Sequence, residues 1–127
     1  MRLLLVDDDP GIIDALVIAL ENKYDLGLAQ DGEEGLRELE RGRFDAILLD
    51  LMMPIMDGAS MMRELKRRGV TVPVLVVSAS NDLQARASAL GAADYIQKPF
   101  DLGQLEEKLA LIIGRAPVAE SNVASGS

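Results

Sequence analysis

Three short apolar runs, Leu3–Val6, Ala46–Leu49 and Val74–Val77, contain no polar residue, and each gives way at once to a hydrophilic one, Asp7, Asp50 and Ser78 respectively. A strand with one wet face alternates apolar with polar side chains, so unbroken runs of this length call for cover on both faces. The segments between them supply that cover. Ile12, Ile13, Leu16, Val17 and Leu20 recur at helical spacing, as do Leu36 with Leu39, and Met61 with Met62 and Leu65.

Punctuation residues place the boundaries. Asp9 before Pro10 is a capping residue followed by proline at the first helical position, which predicts a helix to about Asn22. A second strand is predicted over Tyr24–Ala29, and Asp31-Gly32 then opens a helix that ends near Gly42. The third strand is predicted over Asp45–Leu49, with a helix from Gly58 to Arg68 stopped by Gly69. Leu83–Leu90 reads as a helix stopped by Gly91, Tyr95 and Ile96 as a fifth strand, and Asp101 as the cap of a last helix carrying Leu102, Leu105, Leu109, Ile112 and Ile113. Strands alternating with helices predict an α/β fold, a doubly wound five-stranded parallel sheet with helices on both faces and the flavodoxin-like strand order 2-1-3-4-5. The 127 residues fit one domain over 1–115, and the Ser-, Ala-, Asn- and Gly-rich stretch 116–127 reads as a flexible tail or linker.

In such sheets function collects beyond the carboxyl ends of the strands. The order above brings Asp7 and Asp8 to one side of Asp50, and Ser78 and Lys98 to the other. An aspartate that ends a strand is ordinarily a turn former or helix cap, and its neighbours decide otherwise here. Carboxylates held about 5 Å apart repel by roughly 3 kcal/mol per pair at an effective dielectric near 20, so positive charge must compensate. The chain has no Cys and no His, which removes thiolate and imidazole metal sites and Ser/His triads. An all-oxygen site calls for a hard cation, Mg²⁺ or Mn²⁺. A cation, the Lys98 ammonium and the Ser78 hydroxyl around one carboxylate describe phosphoryl transfer, with Asp50 as the nucleophile. The methionines from Met52 to Met62 lack any Cys or His beside them and read as adaptable packing.

VDDD after the first strand, LLLDLMMPIMDG around the third, VSA closing the fourth and DYIQKPF after it together resemble the receiver domain of two-component response regulators, over about residues 1–114. The resemblance implies that Asp50 is the phosphoacceptor and that Asp8 binds the metal directly and Asp7 through water. It also implies a metal contact from the Met52 backbone carbonyl, switch roles for Ser78 and Tyr95, and a cis peptide at Lys98-Pro99. The implied partners are a sensor histidine kinase or phosphotransfer protein and a downstream protein that reads the face formed by the fourth helix, fifth strand and fifth helix. By the same likeness the chain catalyses only its own phosphorylation and dephosphorylation.

Two departures bear on output. The stretch from Ser78 to Gly91 is about two residues shorter than in similar receivers, which predicts a truncated or displaced fourth helix. Ala93 stands where members that dimerise through this face often carry an acid, which counts against a phosphorylation-dependent dimer of that pattern. With 13 basic and 21 acidic residues the net charge is -8, which opposes direct binding to nucleic acid or anionic lipid. The opening residues are too short in apolar content for a signal peptide or span, so a cytoplasmic protein is expected. It is either a stand-alone receiver, favoured because the fifth helix ends cleanly and the tail is short, or the amino-terminal piece of a longer regulator cut within its linker. Rival readings are an aspartyl-phosphate phosphotransferase, which needs an acid-base residue where Met52 stands, and a degenerate receiver that serves only as an interaction module, which should lack part of the acid, hydroxyl and lysine set.

Overall fold

The structure, a computed structural model, describes residues 1–53 and 55–121, with side chains described as far as Ile113. In chain order the elements are β1 (Arg2–Val6), α1 (Pro10–Leu20), β2 (Asp25–Ala29), α2 (Gly32–Arg41), β3 (Ala46–Asp50), α3 (Gly58–Arg67), β4 (Val74–Ser78), α4 (Leu83–Leu90), β5 (Asp94–Gln97) and α5 (Leu102–Ser121). The strands form one five-stranded sheet in the order β2-β1-β3-β4-β5, and every pairing is parallel.

Alternation along the three central strands divides the core in two. Leu4, Val6, Ile47, Leu49, Val74 and Val76 point to one face, where Leu36 of α2, Met61 and Leu65 of α3 and Leu83 and Ala87 of α4 cover them. Leu3, Leu5, Ala46, Leu48, Leu75 and Val77 point to the other, covered by Leu16 and Leu20 of α1 and Leu105, Leu109 and Ile112 of α5. This is why the runs contain no polar residue: each side chain has a helix above it.

The helix starts follow aspartate caps. Asp9 accepts from the N–H groups of Gly11 and Ile12, Asp31 from Glu34, and Asp57 from Ser60. Gly91 ends α4 in the left-handed region at φ 79°. At eight residues α4 is the shortest helix, as the shortened stretch after Ser78 leads one to expect.

Some boundaries differ from expectation. β3 begins at Ala46, one residue later than expected: there the Asp45 carboxylate, and not a backbone carbonyl, accepts from the Arg2 N–H at 2.7 Å, while the Asp45 N–H donates to the Arg2 carbonyl; the strand extends to Asp50 through pairing with Val77. Helix α5 continues to Ser121, into the stretch 116–127 expected as tail. The remainder of the expected tail, 122–127, lies outside the described residues.

Candidate functional site

Parallel strands in register bring their carboxyl ends to one edge, and there the dispersed polar residues meet. Val6 pairs with Leu49 and Asp50 with Val77, so Asp7 follows the end of β1 beside Asp50 at the end of β3. Both carboxylates are buried, with 5 % and 4 % of their surface exposed, whereas Asp8 is open to solvent. Asp7, Asp8 and Asp50 each offer an oxygen within 4.8 Å of the others.

Lys98 closes the group from the loop after β5. Its Nζ lies 3.2 Å from Asp50 Oδ2 and 3.4 Å from Asp7 Oδ2. The peptide between Lys98 and Pro99 is cis. Backbone donors complete the first contacts: the Met52 N–H donates to Asp50 Oδ1 at 3.0 Å, and the Asp9 N–H to Asp7 Oδ1 at 2.9 Å. Met52 thus orients the carboxylate through its N–H while its side chain faces solvent.

Burial pushes the Asp50 carboxyl above its usual range; the Met52 N–H opposes this, Asp7 adds to the rise and Lys98 opposes it. Burial alone would lower the Lys98 ammonium, but Asp50 and then Asp7 outweigh it and its pKa is raised. Two carboxylates share one ammonium, so the site retains an uncompensated negative charge. That charge, held on hard oxygens at cation-sharing distances, fits a divalent ion such as Mg²⁺ or Mn²⁺.

Ser78 and Tyr95 are near but not engaged. Ser78 is fully buried at the end of β4, and its hydroxyl accepts from the Ser80 N–H at 3.2 Å. Tyr95 packs half-buried against the core of the α2–α4 face, with the Lys108 ammonium 5.3 Å from its ring centre. Sequence reasoning missed Lys108, which also pairs with Asp94 at 3.1 Å; its only signal is its helical phase on α5. It missed as well an apolar groove of about 450 Å³ beside Lys98, lined by Ile12, Ala15, Leu16, Pro99 and Phe100, of which only Ile12 and Leu16 stood out as the apolar face of a helix.

A family profile described as the response regulator receiver domain matches residues 3–110. The transcriptional regulatory protein CiaR of Streptococcus pneumoniae (strain ATCC BAA-255 / R6) is 39% identical over 118 residues, which cover 91% of this chain and 53% of that protein. The chain therefore spans about half the length of the curated relatives it matches. Among solved structures, the receiver domain of the Francisella response regulator 1452 superposes with a TM-score of 0.84 at 30% identity, covering 90% of this chain and 97% of that one. The receiver domain of the sensor histidine kinase PA1611 from Pseudomonas aeruginosa PAO1 gives 0.79 at 35% identity, covering 89% and 97%, and holds a magnesium ion in its active site cleft. The expectation that nucleic acid is no partner finds no support among these relatives, since one is a transcriptional regulator. The charge argument behind it concerns only the surface of the present chain.

Proposed function

The chain belongs to the response regulator receiver domain family of two-component signalling, and from that premise we propose that Asp50 accepts a phosphoryl group from a phosphohistidine on a sensor kinase or phosphotransfer protein. The observation that supports this reading is a buried carboxylate with its partners around it: Asp50 is held by the Met52 N–H and the Lys98 ammonium, with Asp7 and Asp8 at cation-sharing distance. An Asp50 oxygen attacks phosphorus and the histidine nitrogen leaves, giving an aspartyl phosphate that water later hydrolyses. Asp7, Asp8, Asp50 and the Met52 carbonyl would hold a Mg²⁺ or Mn²⁺ ion, which would supply positive charge to the transferring oxygens. Lys98 supplies a second positive charge to the same group.

The phosphoryl group adds close to two negative charges and three acceptor oxygens beside Asp50. Ser78 and Lys98 turn toward them, and Tyr95 moves into the space that Ser78 leaves. The event biases two pre-existing states, and a shift from 1:99 to 99:1 requires about 5.5 kcal/mol of preference. A downstream protein then reads the surface of α4, β5 and α5. The chain acts in the cytoplasm and catalyses only reactions at its own aspartate.

The test is incubation with acetyl phosphate or phosphoramidate and Mg²⁺, followed by intact mass. One added phosphoryl group that is lost in Asp50→Asn supports the reading. No gain, or a gain that persists in Asp50→Asn, rejects it and favours a receiver used only as an interaction module.

A further inference from the structure

Ser78 must reach the phosphoryl group, and strand alternation places it on the wrong side. On β4, Val74 and Val76 face the α2–α4 core and Val77 the α1–α5 core, so Ser78 falls with Val76. On β3, Ala46 and Leu48 face the α1–α5 core, and Asp50 follows them; it lines a small hollow with Leu5, Leu48 and Val77. To meet a phosphoryl group on Asp50 the Ser78 hydroxyl would have to turn across the sheet edge, and the loop that follows bonds to it through the Ser80 N–H.

Ser80 is the point of attachment. Its N–H donates to Ser78 Oγ at 3.2 Å, its carbonyl accepts from Gln97 Nε2 at 3.4 Å, and its hydroxyl donates to the Asp82 carboxylate. Gln97 is the cross-strand partner of Ser78 in the β4–β5 register, which puts its amide within reach of the loop. Asp82 is drawn out of an ordinary role by the same contact. Asp9, Asp31 and Asp57 have extended backbones and cap their helices, whereas Asp82, at φ -106° and ψ 29°, makes no side-chain cap bond to α4. The Ser80 hydroxyl is also the chief reason that the Asp82 carboxyl lies below its ordinary range.

We propose that Gln97 and Asp82 are positioning residues that clasp Ser80, and that Ser80 in turn keeps the Ser78 hydroxyl away from Asp50 until a phosphoryl group arrives. The proposal rests on the phosphoacceptor reading of Asp50 and adds a brake to it. Gln97 holds the loop from the sheet, Asp82 holds it from the start of α4, and release of Ser78 loosens both. The Asp50 site and the α4 surface are thereby linked through four named residues.

Two measurements on the full chain test it: the rate of phosphoryl uptake from acetyl phosphate with Mg²⁺, read by intact mass, and hydrogen exchange of the Ser80 amide in the unphosphorylated protein, read by NMR. Gln97→Met keeps the side-chain length and removes the donor, and it should speed both by about fivefold, the factor one net hydrogen bond is worth. Ser80→Ala and Asp82→Ala should each speed uptake, and the double variant should be no faster than Ser80→Ala alone, because loss of the Ser80 hydroxyl already removes its bond to the Asp82 carboxylate and its contact with the Asp82 N–H. General damage to the fold would slow uptake instead. A parental uptake rate in Gln97→Met, or additive gains in the double variant, overturns the clasp. If the parent itself takes no phosphoryl group, the Asp50 reading fails separately, and the exchange measurement decides: faster Ser80 exchange in Gln97→Met upholds the clasp, and unchanged exchange overturns it.

Discussion

Asp50 is costly to the resting fold because burial and the neighbouring Asp7 both disfavour its charge, and Lys98 offsets them only in part. Since its pKa is raised on folding, the native state binds the proton more readily than the unfolded chain does. Stability attributable to this group therefore falls as pH rises from the unfolded to the folded pKa, and the full penalty is present above the latter. Asp50→Asn is expected to stabilise the protein at neutral pH by ~1 kcal/mol, a rise in thermal midpoint of about 4 °C. The difference from the parent should shrink as pH is lowered through the carboxylate range, and calorimetry at several pH values checks it. Lys98 behaves oppositely. Its raised pKa gives a contribution that is complete below its ordinary value of 10.5 and is lost as pH rises through the folded pKa. Lys98→Met leaves Asp7 and Asp50 side by side without a cation, and with the ammonium partly screened by solvent the expected loss is about 2 kcal/mol by urea denaturation.

At the scale of elements, the site depends on how closely α3 can approach the end of β3. Gly58, the first residue of α3, donates its N–H to the Leu51 carbonyl at 3.1 Å, and a Cβ there would stand 2.5 Å from the Asp50 carbonyl oxygen and 2.6 Å from Leu51 Cα. Both are backbone atoms, so neither can swing aside. Gly58→Ala should cost about 3 kcal/mol in chemical denaturation and slow phosphoryl uptake, because the loop that aims the Met52 N–H at Asp50 has to shift. Gly69, at φ 73° with open space around it, offers the contrast: Gly69→Ala should cost about 1–2 kcal/mol from backbone conformation and leave uptake intact. The glycine stops at Gly69 and Gly91 and the Asp9 and Asp101 caps were legible in the sequence because each acts within one turn of its own helix, whereas the Asp57 cap was not singled out. The start of β3 was not, because it depends on Arg2, far away in the chain. The run of α5 past Gly114 was missed because composition alone separated helix from tail.

For the whole molecule, the sheet order made the site legible: once β3 lies between β1 and β4, Asp7, Asp8, Asp50 and Lys98 meet at one edge, with Ser78 ending the strand beside them. Side-chain ties that no pattern announces, Gln97 to Ser80 and Lys108 to Asp94, needed coordinates. Charge adds a constraint at this scale. The chain carries a net charge of -8, and three of its carboxylates stand within sharing distance at one edge while Lys98 meets only part of their charge. Any salt should relieve the general self-repulsion, whereas a divalent ion should relieve the local repulsion by binding. Binding to the native state alone stabilises by ~2.7 kcal/mol when the ion is at a hundred times its dissociation constant, which for a chain of this size is a rise in thermal midpoint of about 10 °C. Mg²⁺ should produce that rise where NaCl at matched ionic strength does not, and Asp8→Asn should remove most of it. Asp8 is the discriminating position because it is the exposed member of the three: its loss leaves the buried Asp7–Lys98–Asp50 contacts in place. Equal shifts in Mg²⁺ and NaCl, or an undiminished Mg²⁺ shift in Asp8→Asn, would assign the effect to the charge of the whole molecule and not to the site.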